Sequence, residues 1–189
     1  MRPTPADKPP KPTKEQLASA HRRRVPDVIA PGLKVLFVGV NPGLYTAAIG
    51  HHFGRPGNRF WPAMHQGGFT DRLWSPSEDR ELLSRGYGLT NFVARPTARA
   101  DQLTAEELRA GARRLERKIR RFRPRCAAVV GITAYRTAFG RPEATIGRQD
   151  HKIGETLIWV LPNTSGLNAH YLLPDQARLF AELRAAVEA

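Results

Sequence analysis

Four short apolar runs, each closed by Gly, Asn or Pro, constrain the fold of this chain more than any other feature. They read KVLFVGV (34–40), YGLTNFV (87–93), CAAVVGI (126–132) and TLIWVLP (156–162). Runs of this length that are rich in β-branched residues are typical of buried strands. Helical patterns separate them, and such alternation predicts an α/β fold: a single domain with a central, mostly parallel sheet and helices on both faces.

The helical patterns lie between and after these runs. They read NRFWPAMHQ (58–66), PSEDRELLSR (76–85), TAEELRAGARRLERKIRRFRP (104–124), TAYRTAF (133–139) and PDQARLFAELRAAVEA (174–189). The third is the best defined, because Thr104 and Glu107 form a capping box and Pro124 ends the pattern. Its many arginines are interpreted as a solvated outer face that can still steer the protein toward a polyanion.

The N-terminal segment differs in composition from the rest of the chain. Residues 1–26 are rich in Pro, Lys and Arg and poor in large apolar side chains, which predicts a disordered basic extension with a short helix near 14–24. The folded domain then covers residues 27–189. The chain carries 30 Lys and Arg against 17 Asp and Glu, a net charge of +13. This excess suits a polyanionic partner and equally serves solubility.

Several classes of protein are excluded by what the sequence lacks. A single cysteine, Cys126, excludes a disulfide within the chain and a four-cysteine iron–sulfur cluster. The chain has no apolar segment long enough to span a membrane and no signal peptide pattern, so a cytoplasmic protein is expected. His51 and His52 are adjacent and have no further ligand at a suitable spacing, so neither a metal nor a cofactor is expected.

The turn after the first apolar run carries an amide side chain on a stiff support. Asn41 is followed by Pro42, which fixes φ, and by Gly43, which permits a close backbone approach. Ligands of parallel α/β sheets bind at the carboxyl ends of the strands, where this turn lies. The motif is either a pocket wall of this kind or simply a tight turn.

Two other segments have unusual chemistry. LPNTSGLNAH (161–170) follows the last apolar run and places Leu167 alone among polar residues. There it is either tucked into the core or exposed as a wedge between bases. GHHFGRPGNRFW (50–61) alternates aromatic, glycine and basic residues, and Phe53 in it offers a stacking face.

Taken together and in this order, several blocks of the chain resemble the mismatch-specific uracil-DNA glycosylases, relatives of thymine-DNA glycosylase in the uracil-glycosylase superfamily. The resemblance extends over about residues 29–187. It rests on the blocks APGLKVLFVGVNPGL, RPGNRFW, GGFTDR, GYGLTNFVARPT, ELRAGARRLERKIRRFRP and IWVLPNTSGL. Any one of these blocks alone would be far less specific than their joint occurrence.

This resemblance implies an enzyme that flips a nucleotide out of duplex DNA and hydrolyses the bond between its base and sugar. Asn41 then corresponds to the residue that positions the attacking water, Phe53 to the stacking aromatic and Leu167 to the wedge. Backbone groups at Val40, Gly43 and Phe53 would read the uracil edge, and Tyr45 and Thr46 would form the wall near a thymine methyl. On the DNA side, Ser165, Gly166 and Asn168 would flank the wedge, and Asn163 matches the polar residue at the strand end.

The chain departs from the family pattern before the RPT element and again after the wedge, where Asn168 and Ala169 stand and the arginine that some relatives carry is missing. A carboxylate commonly precedes the RPT element, but Ala94 occupies that slot here. Either this member dispenses with the carboxylate, or another acid substitutes, or the change inactivates the protein. Faster relatives have a histidine where Asn163 stands, so the asparagine favours the slow branch that acts on mismatches.

The expected partner is duplex DNA containing uracil, bound by a monomer that associates with the nucleoid through that DNA, with no membrane involved. One rival interpretation is a DNA-binding member of the same fold that has lost its chemistry. The other is an enzyme of small nucleotides, which would leave the wedge and the basic extension without roles.

Overall fold

The structure is a computed structural model that describes residues 11–188, in which helices and strands alternate along most of the chain. The strands are β1 (Val35–Gly39), β2 (Tyr87–Asn91), β3 (Cys126–Val130), β4 (Gly147–Ile153) and β5 (Thr156–Leu161). The α-helices are α1 (Lys14–Ser19), α2 (Leu44–Ile49), α3 (Phe60–Gln66), α4 (Ala105–Phe122), α5 (Ile132–Phe139) and α6 (Leu173–Glu188). Three 3₁₀ segments add Ala20–Arg22, Pro76–Arg85 and Ala100–Gln102.

The five strands form one sheet in the order β2-β1-β3-β5-β4. The first four in that order are parallel, and β4 pairs antiparallel with β5 at the edge. The carboxyl ends of β1, β2, β3 and β5 therefore meet at one edge of the sheet, where the turns that follow them can converge on a ligand.

Helices cover both faces of the sheet, and each covered face has its own apolar core. On one face, Phe37 packs among Phe60 of α3, Phe69 and Phe180 of α6. On the other face, Leu115 of α4 and Tyr135 of α5 are among the side chains buried against the sheet. Burial of both faces explains why the central strands read as continuous apolar runs. Within the described part of the chain, no helix is both long and apolar enough to cross a membrane.

The predicted α/β fold is confirmed, and each of the four predicted strands ends within two residues of its expected bounds. The capping box of α4 is also present: Thr104 Oγ1 accepts from the Glu107 amide at 3.1 Å, and Glu107 Oε2 accepts from the Thr104 amide at 2.9 Å. Cys126 is fully buried, and this burial raises the pKa of its thiol to about 12.

Three elements differ from the sequence prediction. The edge strand β4 was not predicted, because its residues Arg148 to Lys152 are all polar and carry no apolar alternation. Charged side chains of this kind are normal on an edge strand, where they discourage pairing with other chains. The short helix α2 was also not predicted, and residues 76–85 form a 3₁₀ segment instead of an α-helix.

The described part of the N-terminal extension is packed against the domain. Residues 11–26 contain α1, whose N-terminus is capped by Thr13, and Ala20 and Val25 are buried beside Ala47 and Ala48 of α2. The short helix expected near residues 14–24 therefore has a counterpart in the structure. Residues 1–10 lie outside the described residues, and the domain boundary at residue 27 stays a prediction.

Candidate functional site

The β1 turn, residues 40–43, is tied through Asn41 to the β2 loop, residues 92–99. The Asn41 Nδ2 atom donates to the carbonyl oxygen of Arg95 at 2.9 Å and to Thr97 Oγ1 at 2.8 Å. A backbone carbonyl only accepts, so these contacts fix which end of the amide is nitrogen. The Oδ1 atom of Asn41 is therefore the end left for another molecule.

A cavity of about 360 Å³ opens beside Asn41 at the carboxyl edge of the sheet. Its volume falls in the range of small-molecule sites. All four parallel strands contribute to its lining: Gly39 ends β1, Asn91 ends β2, Val130 ends β3 and Asn163 follows β5. Arg55 and Arg99 add positive charge to the same lining.

One wall of the cavity is the ring of Phe53. This ring stacks on Phe60 with centroids 3.9 Å apart and planes 9° apart, and its remaining face is left for the cavity. Phe53 has φ 53°, a left-handed conformation that costs a non-glycine residue about 1–2 kcal/mol. Such strain persists only where the surroundings hold it, and here the buried Phe60 does so. The result is a flat aromatic surface suited to a planar ligand.

Asn91 reaches the cavity because Gly39 has no side chain. A Cβ atom at position 39 would overlap Asn91 Oδ1 and lie 3.3 Å from the Phe53 ring. Gly39 thus permits both side chains to approach the end of β1. A larger residue at this position would displace one of them.

A buried histidine sets the orientation of the Asn91 amide. His52 is 1% exposed, and its Nε2 lies 2.9 Å from the carbonyl oxygen of Pro26, so Nε2 carries the proton. Burial lowers the pKa of His52, which keeps the ring neutral and makes Nδ1 an acceptor. The Asn91 Nδ2 atom faces Nδ1 at 3.5 Å, and Asn91 Oδ1 is turned toward Gly39.

The β5 loop, residues 162–172, is held by hydrogen bonds from two side chains to its backbone carbonyl oxygens. Arg59 Nη1 donates to the carbonyl oxygens of Asn168 at 2.8 Å and Tyr171 at 3.1 Å, and Nη2 donates to that of Gly166 at 3.2 Å. The buried Gln176 donates to the carbonyl oxygen of Tyr171 at 3.0 Å. The loop backbone is therefore fixed while its apolar side chain, Leu167, is 78% exposed.

The side chains expected on the pocket wall fall into two groups. Val40, Gly43, Thr46 and Phe53 line the cavity, and Thr46 Oγ1 accepts from the Gly54 amide at 3.2 Å. Tyr45 is half-buried on α2 and lies outside the lining, because its neighbour Thr46 occupies the side of the helix that faces inward.

The residues expected around the wedge are also divided. Asn163, Ser165 and Leu167 line the cavity, and the Asn163 side chain accepts from the Ser165 amide at 2.8 Å, which closes the start of the loop. Gly166 lies in a shallow depression beside the cavity, and Asn168 lines a neighbouring cavity of about 730 Å³. Ala94 is exposed and does not line either cavity.

Four residues of the site were missed in the sequence analysis: Asn91, His52, Arg59 and Asp101. Asn91 had a signal, because it is a polar residue at a strand end like Asn41. The other three had no such signal in the sequence. Folding alone brings His52 to Pro26, Arg59 to Asn168 and Asp101 to the cavity.

Comparison with known proteins places this geometry in context. Residues 26–188 match the sequence profile of the family described as the uracil DNA glycosylase superfamily. Among solved structures, the chain is similar to a protein of Methanosarcina acetivorans determined by solution NMR, which carries the provisional description of uracil DNA glycosylase. The TM-score is 0.57 at 20% sequence identity, and the match covers 88% of this chain and 98% of that one. At this identity the likeness concerns the fold.

Proposed function

Because the chain belongs to the uracil DNA glycosylase superfamily, we propose that it is a monofunctional DNA glycosylase that excises uracil from duplex DNA. The observation that carries this proposal is the Asn41 amide, anchored through its nitrogen beside the Phe53 ring in one cavity. The products are uracil and an abasic site. The cavity, the stacking ring and the exposed Leu167 all lie in one chain, so a monomer suffices.

Asn41 orients the water that attacks the sugar. Its Oδ1 accepts a hydrogen bond from water and directs the water oxygen toward C1′. The bond between C1′ and the base breaks with its electron pair on uracil, the water oxygen bonds to C1′, and the water proton passes to solvent or to the base. An amide has no protonation equilibrium near neutral pH, so Asn41 is not a general base. The barrier is then lowered mainly by dipoles and donors that stabilise the separating charges.

Phe53 and Asn91 recognise the flipped base. The face of Phe53 not covered by Phe60 stacks on the pyrimidine ring. Asn91 Oδ1, turned away from His52, accepts from the N3–H of uracil. Backbone groups at Val40, Gly43 and Phe53 complete the hydrogen bonding of the uracil edge, and Thr46 limits the space near C5.

Leu167 fills the space that the flipped base leaves in the duplex. Its exposed side chain stands on a fixed loop at the rim of the cavity, where a base step can receive it. Ser165, Gly166 and Asn168 contact the DNA backbone around the wedge, and Arg55 and Arg99 contact phosphates.

We propose G·U mismatches as the preferred substrate. Asn163 stands where faster relatives have a histidine, which removes a donor that could stabilise the leaving uracil. Slow chemistry favours substrates that are easily opened, and a wobble pair is easier to open than a normal pair. A G·U duplex should therefore be cleaved faster than the same duplex with A·U.

The test is single-turnover release of uracil from a labelled duplex with one G·U pair, followed by alkaline cleavage of abasic sites. We expect release by the unchanged protein and a loss of about 100-fold in Asn41→Ala, because misplacing a reactant by about 1 Å can cost that much. The matched control is Gln149→Ala, which removes an amide side chain from the distant edge strand. It should cleave at the unchanged rate.

Tight duplex binding without any release would contradict the proposed enzyme. It would favour the rival interpretation, an inactive DNA-binding member of the fold, in which the alanine at position 94 accounts for the lost chemistry. Turnover of mononucleotides without salt-dependent DNA binding would instead favour an enzyme of small nucleotides.

A further inference from the structure

One acidic residue lines the cavity beside Asn41, and its side chain is 60% exposed. Among the described residues that line it, Asp101 is the only acidic one, and it also lines the neighbouring larger cavity. Ala94, the position at which the resemblance expects a carboxylate, is exposed and outside both linings. The acid at this site is therefore supplied seven residues further along the chain, in the 3₁₀ segment that follows the β2 loop.

Asp101 follows a hydrogen-bond partner of Asn41 by four residues. Asn41 Nδ2 donates to Thr97 Oγ1, and the chain runs from Thr97 through Arg99 to Asp101 within a few residues. The 3₁₀ turn that carries Asp101 is closed by Gln102, whose side-chain oxygen accepts from the Arg99 amide at 3.1 Å. Arg99 and Asp101 form an ion pair on this turn. The carboxylate is thus carried by the 3₁₀ segment directly after the loop that anchors the amide.

A carboxylate at this place opposes the binding of DNA. The chain has a net charge of +13, and Arg55 and Arg99 contribute positive charge to the cavity. An acid among them repels phosphates and lowers the affinity for a polyanion. Binding of DNA does not by itself account for an acid at this place.

The reaction proposed above is accelerated by a negative charge near the sugar. As the bond to the base breaks, positive charge develops on C1′ and the ring oxygen, and Asn41 is neutral. A carboxylate stabilises this charge, most strongly when the bound duplex excludes water from the cavity.

We propose that Asp101 is a catalytic residue, which stabilises the cationic sugar in the transition state and takes the place of the carboxylate absent at position 94. This inference rests on the proposed glycosylase function. It makes Arg99 the ion-pair partner that holds the carboxylate until DNA binds.

The test compares Asp101→Asn with the unchanged protein in two measurements. The first is the single-turnover rate on a G·U duplex at saturating protein. The second is the Kd for the same duplex with 2′-fluorodeoxyuridine as a slowly cleaved analogue. The matched control is Asp150→Asn, because Asp150 is also exposed and paired with an arginine, Arg141, but lies on the edge strand β4.

We expect Asp101→Asn to lose about tenfold or more in rate while its Kd stays the same or becomes tighter, as loss of a transition-state charge partner predicts. Asp150→Asn should change neither. A merely structural role would weaken binding and rate together, which would overturn the proposal, as would a rate within about twofold of the unchanged protein. Release by neither the unchanged protein nor the variant would overturn the glycosylase function itself, and this proposal with it.

Discussion

The β1 turn and the β5 loop lie at the same edge of the sheet but are stabilised in opposite ways. In the β1 turn the functional side chain is itself anchored, because Asn41 makes two hydrogen bonds to the β2 loop through its own amide nitrogen. In the β5 loop the backbone is anchored by Arg59 and Gln176, while Leu167 makes no comparable contact and is 78% exposed.

This difference matches the two different tasks proposed for Asn41 and Leu167. A group that orients water must be fixed before the substrate arrives, since an error of about 1 Å is costly. A group that enters a base stack must leave solvent and fit a duplex, so only its support needs to be fixed. The two regions should therefore respond differently to mutation, and differently on single-stranded and double-stranded substrates.

The largest effect is expected from Asn41→Ala on either kind of substrate. The rate should fall about 100-fold or more on single-stranded and duplex DNA alike, because water positioning is needed in both. Single-turnover release from the two matched oligonucleotides is the measurement. A loss confined to the duplex would show that Asn41 acts in opening DNA and would remove the distinction between the regions.

The next largest effect is expected from Arg59→Met, which keeps the length of the side chain but removes its three bonds to loop carbonyls. Duplex cleavage should fall by about tenfold, because the wedge is no longer held in position. Cleavage of single-stranded DNA should change little. Arg136→Met, which removes bonds to the carbonyl oxygen of Ala144, is the matched control.

Arg59 is a positioning residue only if it acts through Leu167, and a double-mutant cycle tests this. Leu167→Ala alone should slow duplex cleavage about tenfold, because the unstacking cost of a few kcal/mol is no longer offset. The combined variant should be no slower than Leu167→Ala, because Arg59 has nothing left to position once the leucine side chain is gone. Losses that simply multiply would show that the two side chains act independently.

A smaller effect is expected from Ala94→Asp. A carboxylate at position 94 adjoins Arg95, whose carbonyl oxygen accepts from Asn41, and it should raise the single-turnover rate on G·U by about two- to fivefold. The expected gain is small because position 94 is exposed and outside the cavity lining. The gain should be larger when Asp101→Asn is also present. An unchanged rate in both backgrounds would mean that position 94 cannot serve the sugar.

The smallest expected effect is a pH dependence that concerns only the Asn41 side of the cavity. Burial lowers the pKa of His52, so between that pKa and the ordinary value of about 6.5 the unfolded chain binds more protons than the folded one. The free energy of unfolding should therefore fall as the pH drops below about 6.5, by up to about 1.4 kcal/mol per unit.

His52→Gln isolates this contribution, because glutamine can donate to the Pro26 carbonyl but does not titrate. Denaturant unfolding at pH 7.5 and 5.5 should show a smaller loss in the variant than in the unchanged protein. The two side chains that hold the β5 loop, Arg59 and Gln176, include no histidine. Equal losses in both proteins would assign the pH dependence to other groups, such as His151.

The fold was predictable because its signals are local. β-branched runs closed by Gly, Asn or Pro gave the central strands, and the Thr104–Glu107 capping box gave the start of α4. The edge strand β4 escaped prediction because its residues from Arg148 to Lys152 are polar, and the hairpin through Gly154, not hydrophobicity, pairs it with β5.

The sequence by itself determined the α/β architecture and the strand-end positions of Asn41 and Asn163, because strand periodicity and turn residues act over a few positions. Only the tertiary structure decided that Asn41 is held by Thr97, that Asn91 is turned by His52 and that Arg59 supports the β5 loop. It also decided that Asp101, and not position 94, lines the cavity. The physical reason is that hydrogen bonds and cavity walls depend on distances between residues far apart in the chain, and these distances exist only once the sheet has brought the strand ends together.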